Sequence, residues 1–232
     1  MVVNTELILL KATAYAYAVP FSGDLLTPYP FHQGNFALDD ESKPMVITRD
    51  NYKSFLLKNT SKVTKMARES DDPVHYILCM MSKPYRLQFL DLVKEDLDAQ
   101  RIGELLSWIW VSTEFPNMNN LDRWVKLFKM VLPESLMDEE ELKNYKALPA
   151  KVTIYRGIQS DKAKTRGLSW TLSIDKAKWF ACRWQRVGEV YSATIRKDGI
   201  FAYFNGRGEE EIVVNPRKLK EVQPVYIKEE TK

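Results

Sequence analysis

In Leu148-Pro149-Ala150-Lys151-Val152-Thr153-Ile154-Tyr155-Arg156-Gly157 the hydrophobic period of this 232-residue chain changes. From Asp50 to Leu148 apolar residues recur every three or four positions, the spacing of one helix face. After Pro149 they alternate, the spacing of one sheet face. Upstream, Asp72-Pro73 pairs an N-cap with a proline at the first helical position. Val74, Ile77, Leu78 and Met81 then share a face. Pro84 opens the next helix, with Leu87, Leu90, Val93 and Leu97 in period. Ile102, Leu105, Leu106 and Ile109 continue it, and Phe115-Pro116-Asn117 breaks it. Asn120 is the expected cap for Leu121, Trp124, Val125, Phe128 and Val131, and Asp138 for a short acidic helix. Trp108, Trp110 and Trp124 are expected in the core of this layer.

Downstream, strands are expected at Val152–Arg156, Leu168–Leu172, Glu189–Arg196, Ile200–Phe204, Glu210–Val214 and Gln223–Ile227. One helix is expected from Asp175 to about Arg186, with Asp175 as its cap. Helices followed by strands make an α+β chain: an N-terminal helical layer packed on a mostly antiparallel sheet. The expected division is 1–149, mainly helical, and 150–232, rich in strands, the two packing as one compact unit. The stretch Pro20 to Pro44, with its prolines, glycines and acidic run, reads as a long loop.

Composition narrows the function. Apolar residues make up 45% and charged residues 28%, which excludes disorder and fibrous repeats. Two cysteines, Cys79 and Cys182, exclude a disulfide framework and a zinc site built on several thiolates. Two histidines, His32 and His75, argue against a histidine-rich metal centre. Glu6 and Lys11 interrupt the apolar stretch Val2 to Val19, and no basic cluster precedes it, so it reads as part of a mature, cytoplasmic protein. Residues 1–150 carry net charge −4 and residues 151–232 carry +7. A basic C-terminal part attracts an anionic ligand.

Three places in that basic part stand out. Tyr155-Arg156-Gly157 ends a strand with a guanidinium that can grip phosphate, beside a glycine that permits a sharp turn and a close ligand. Gly167-Leu168-Ser169-Trp170-Thr171 puts two hydroxyls on one face and an indole on the other. Glu209-Glu210-Glu211-Ile212-Val213-Val214-Asn215-Pro216 runs three carboxylates into an apolar strand, where charge is costly without partners. Strand period puts Glu209 and Glu211 on one face and Glu210 on the other. Alone, each has a plain structural reading: a surface ion pair, a buried tryptophan, an acidic loop tip.

Taken in order, Arg156, then Ser169-Trp170-Thr171, then Glu209-Glu210-Glu211 with its aliphatic tail and Pro216 resemble the R-S-E class of ADP-ribosyltransferases. Ala177 and Phe180 match an Ala and a Phe that often follow the hydroxyl motif. The resemblance covers residues 151–225, about a third of the chain. The preceding region, with Trp110, Glu114 to Asn117 and Leu148-Pro149, is less specifically similar to small bacterial and phage members. The centre of the hydroxyl motif is Trp and its third residue Thr. Thr171-Leu172-Ser173 is a second register, but the spacing to Ala177 favours the first. Twelve residues separate Arg156 from Ser169, so the usual intervening helix is expected to be reduced.

The resemblance implies an ADP-ribosyltransferase core with a split sheet, and an enzyme that cleaves NAD+ and transfers ADP-ribose to a protein side chain. NAD+ is then a substrate and no metal is needed. Arg156 would clamp phosphate, and Gly157, Ser169, Trp170, Thr171 and Phe180 would complete the NAD+ site. For Trp170, Trp179 and Phe180, packing in the interior is the competing assignment. Ser169 would orient Glu211 or the ribose. Glu211 would bind the ribose 2′-hydroxyl and stabilise the sugar cation, and Glu209 would engage the acceptor. Glu at that first acidic position implies an arginine acceptor on a target protein, in the cytoplasm of the cell or of a host. The turn Asn205 to Gly208, mobile through Gly206 and Gly208, would help choose it. The alternatives are an NAD glycohydrolase, a protein of this fold that acts only by binding a partner, and a nucleic-acid module. Against the last, no recognition-helix motif is present, and carboxylates sit badly beside phosphate.

Overall fold

The computed structural model describes residues 4–23, 27–39, 41–113, 121–159, 165–183 and 188–225. The chain is α+β and divides into two compact units, Met1–Leu127 and Phe128–Lys232. The acidic helix before Pro149 thus belongs with the sheet. Phe115-Pro116-Asn117, the Asn120 cap and the ends of the strand and helix expected at Ile227 and Arg186 lie outside the described residues.

The first unit begins with α1 (Thr5–Ala18), which buries Ile8, Leu9, Ala12 and Ala16. The expected loop from Pro20 to Pro44 instead carries two small antiparallel ribbons. These are β1 (Pro28–Tyr29) with β2 (His32–Gln33), and β3 (Phe36–Leu38) with β4 (Pro44–Val46). Strands this short carry too little period to be read from sequence. Then come α2 (Arg49–Arg68), α3 (Pro73–Met80), α4 (Lys83–Val93), α5 (Ala99–Ser112) and α6 (Leu121–Met130), in which the division between units falls. Asp72 caps α3 by accepting from the His75 amide, with Pro73 at the first turn. Trp110 and Trp124 are buried and meet edge to face at 5.0 Å. Trp108 is half-buried between the Arg86 guanidinium and the edge of His75.

The second unit holds α7 (Glu139–Ala147) and a six-stranded antiparallel sheet. Asp138 and Glu141 close a reciprocal capping box on α7. The strands are β5 (Lys151–Ile158), β6 (Ser169–Thr171), β7 (Glu189–Arg196), β8 (Ile200–Phe204), β9 (Glu211–Val214) and β10 (Lys220–Val225), in spatial order β10-β7-β5-β6-β9-β8. One helix, α8 (Ile174–Cys182), lies among them. Its cap is Ser173, whose hydroxyl accepts from the Lys176 amide, and Asp175 falls in the first turn. An acid there still complements the helix dipole, which is why its sequence signal resembled a cap.

β5 and β7 pair along eight residues, whereas β5 and β6 share one ladder pair, Tyr155 with Thr171. The sheet is therefore two three-stranded halves meeting at a narrow seam. α8 lies against β5 at Gly157: a Cβ there would come within 2.1 Å of the Ala177 carbonyl oxygen and 2.5 Å of the Ala181 nitrogen. The strand runs on through Gly157 to Ile158, with no turn. Gly157 is required for helix packing, and the close approach foreseen for a ligand is made by α8 instead. Among the described residues no helix is long and apolar enough to cross a membrane.

Candidate functional site

The seam brings together residues from three neighbouring strands: Arg156 on β5, Ser169 and Thr171 on β6, and Glu211 on β9. β6 and β9 are in register, with Thr171 opposite Glu211 and Ser169 opposite Val213, so both hydroxyls share the face of Glu211. The Ser169 hydroxyl donates to Glu211 Oε1 at 2.5 Å. The Ser169 carbonyl accepts from Arg156 Nη1. One residue thus ties the cation to the anion, through its side chain on one side and its main chain on the other.

Strand alternation assigns Arg156 the face opposite Tyr155, Thr171 and Glu211. The guanidinium nonetheless lies within electrostatic reach of the Glu211 carboxylate, because the sheet opens at the seam. Burial pushes the Arg156 pKa down to about 10, and Glu211 works in the opposite direction. Arg156 therefore stays charged at neutral pH. Its Nε is cut off from solvent and has no hydrogen-bond partner among the described residues. Gly167 lies flat against the guanidinium: a Cβ there would stand 2.6 Å from Arg156 Cζ. A donor so enclosed and unpaired is costly to the fold.

Glu211 is 7% exposed. Thr171, also buried, donates from Oγ1 to the Glu209 carbonyl at 2.7 Å and accepts from the Ser173 amide at 3.1 Å. It positions the acidic segment and the helix cap together. Because Ser173 is occupied as that cap, Ser169 is the serine that meets the carboxylate.

Glu209 and Glu211 do come together, but not by strand period. β9 starts at Glu211, and Glu210 has φ +46°, a left-handed conformation in which alternation no longer applies. What joins the two carboxylates is Arg207. Its Nη2 lies 2.9 Å from Glu209 Oε2 and 3.9 Å from Glu211 Oε2. The turn before them is tied down. The Asn205 amide donates to Glu141 Oε1 at 2.8 Å, Asn205 Oδ1 accepts from the Glu210 amide at 3.1 Å, and the Gly208 amide donates to the Asn205 carbonyl at 2.7 Å. Its two ends are thus pinned, with Gly206 and Arg207 between them.

The aromatic residues separate. Trp170 is 2% exposed, and its Nε1 donates to the Gly167 carbonyl at 2.9 Å, so it belongs to the core and offers no face to a ligand. Phe180 is half-buried, with its Cβ against Gly157. Trp179 is 54% exposed, contrary to the packing expected of it, and meets Phe180 edge to face at 5.0 Å. Helical period alone could not place it, because α8 is short and covers the sheet with Ala177 and Ala181.

Glu141 was not legible as a site residue, Gly167 entered only at the head of the hydroxyl motif, and Asn205 and Arg207 only as part of the turn before the glutamates. The signal that could have found Arg207 is its setting, Gly206-Arg207-Gly208 directly before three glutamates. Neither a family model, nor a curated protein, nor a solved structure matches the chain.

The arrangement has a definite chemical capacity. A charged guanidinium with an unpaired N–H can take an anionic oxygen. A carboxylate fixed by a hydroxyl can stand beside a developing positive charge without reorganising. A second carboxylate, with its side chain 22% exposed, can accept a proton from an incoming group.

Proposed function

We propose that the chain is a mono-ADP-ribosyltransferase that cleaves NAD+ and passes ADP-ribose to an arginine side chain of a target protein. The observation that carries this reading is the continuous link from Arg156 through Ser169 to Glu211 at the seam of a split antiparallel sheet. An antiparallel sheet whose two halves share a single ladder pair supports the split sheet that the resemblance implies.

In this proposal Arg156 binds the diphosphate through its guanidinium. Diphosphate binding draws the nicotinamide riboside toward the seam. Breaking the nicotinamide–ribose bond leaves positive charge on the ribose, as in glycoside cleavage. Glu211 accepts a hydrogen bond from the ribose 2′-hydroxyl and stabilises that cation, and the Ser169 hydroxyl keeps the carboxylate aimed. Glu209 removes a proton from the acceptor guanidinium as its nitrogen attacks. Phe180, on the helix beside Gly157, borders the site, and Thr171 holds the acidic segment in register. A compartment that supplies NAD+ and target proteins together, the cytoplasm of the cell or of a host, suits this activity.

The test is incubation of the purified chain with labelled NAD+ and a cell lysate. A labelled protein band in which tandem mass spectrometry places ADP-ribose on arginine supports transfer to arginine. Nicotinamide release with no band makes the chain a glycohydrolase, and the absence of both products refutes the proposal.

A further inference from the structure

We infer that Glu141, on the helix before the sheet, is a positioning residue for the acceptor half of the reaction: it holds Glu209 where an incoming guanidine meets it. The inference rests on the transferase reading above and adds to it a residue outside the three motifs.

Asn205 is the joint. It follows β8, the strand at the edge of the sheet, where no further strand can take its amide. Glu141 Oε1 takes it instead, at 2.8 Å. The Asn205 carbonyl accepts from the Gly208 amide at 2.7 Å, and its Oδ1 accepts from the Glu210 amide at 3.1 Å. That last bond ties down Glu210 at φ +46°, a conformation glutamate rarely adopts. With Glu210 left-handed, Glu209 lies outside the β9 ladder and Glu211 inside it.

The two carboxylates are therefore held by different means. Glu211 sits in the ladder between Thr171 and Phe204 and accepts from Ser169. Glu209 is held by the Thr171 hydroxyl on one side and, through Glu210 and Asn205, by Glu141 on the other. Glu141 is itself fixed. It is half-buried, its amide donates to Asp138 Oδ1 at 2.8 Å, and its Oε2 accepts from the Asp138 amide at 3.4 Å. One turn on, the Tyr145 hydroxyl donates to the Ile200 carbonyl at 3.3 Å and fastens α7 to β8. One oxygen of Glu141 thus serves the helix cap and the other the turn that carries Glu209. A displacement of about 1 Å caused far from the reacting atoms can cost about 10²-fold in rate.

The experiment measures kcat/KM of the full chain for agmatine, a small guanidine, and KM for NAD+. In Glu141→Ala, kcat/KM for agmatine falls by about tenfold or more, the worth of one hydrogen bond to a charged group, and KM for NAD+ stays within about twofold. Glu141→Gln keeps an oxygen for the Asn205 amide and restores agmatine transfer. Asp138→Ala weakens the helix start without touching Asn205, so it lowers the melting temperature and leaves agmatine transfer alone. Asn205→Ala removes the next link and reproduces the split, which keeps the test decisive if Glu141→Ala does not fold. Unchanged agmatine transfer in folded Glu141→Ala, an equal loss toward NAD+, no rescue by glutamine, or the same loss in Asp138→Ala overturns the inference and leaves the transferase reading intact. Nicotinamide release from the unaltered chain with no agmatine labelling overturns the inference and its guanidine acceptor, and absence of nicotinamide release overturns the transferase reading as well.

Discussion

The Ser169 hydroxyl donates to Glu211 Oε1 at 2.5 Å, from one strand to the next, while the carbonyl of the same serine takes a hydrogen from Arg156. A serine used through both its side chain and its main chain holds two opposite charges in one place without a direct contact between them being needed.

Glu211→Gln keeps the shape and an acceptor for Ser169 but removes the negative charge. NAD+ cleavage and protein transfer should both fall by about 10²–10³, the range for losing a preorganised electrostatic group. Thermal unfolding serves as the control. Full activity in a folded Glu211→Gln protein would remove the proposed role of the carboxylate.

Glu209→Gln should separate two activities. On the proposed mechanism the variant loses the base that takes the acceptor's proton but keeps the carboxylate assigned to the ribose. Labelling of target arginines should vanish while nicotinamide release persists in a chromatographic assay. Undiminished arginine labelling counts against the assignment of Glu209.

Arg156→Met tests whether the buried cation is there for the ligand or for the fold. The residue is desolvated, its pKa is held down by burial, and its Nε–H has no partner among the described residues. An apolar replacement of similar length relieves that cost but removes a cation from beside Glu211, which keeps Ser169 and Arg207 near it, so stability should change little. NAD+ affinity should fall by about tenfold or more, the worth of one charge-assisted hydrogen bond. A protein that loses stability and keeps NAD+ affinity would show the reverse.

Two glycine substitutions should part company. In Gly157→Ala the new methyl meets main-chain atoms of α8, which cannot give way, and unfolding free energy should drop by about 1–3 kcal/mol. In Gly167→Ala it meets the end of the Arg156 side chain, which can move. Stability should then change little while the Michaelis constant for NAD+ rises. Denaturant melts and initial-rate kinetics on both proteins give the comparison.

The amino-acid sequence by itself determined the local structure of this protein wherever period and capping chemistry are strong. Glu189–Arg196 and Ile200–Phe204 form strands over the residues where apolar alternation runs, and Asp72-Pro73 and Asp138 start helices because their side chains cap the first free amides. It also presented Arg156, Ser169 and Glu211 in an order that the sheet places on adjacent strands. Tertiary structure alone decided the rest: that Ser173 and not Asp175 caps α8, that Trp179 faces solvent, that Gly157 serves the helix, and that Arg207 joins Glu209 to Glu211. The physical reason is range. Alternation and capping depend on torsions a few residues apart, whereas the guanidinium that reaches a carboxylate depends on strand register, a left-handed Glu210 and the hydrogen bonds that close one turn.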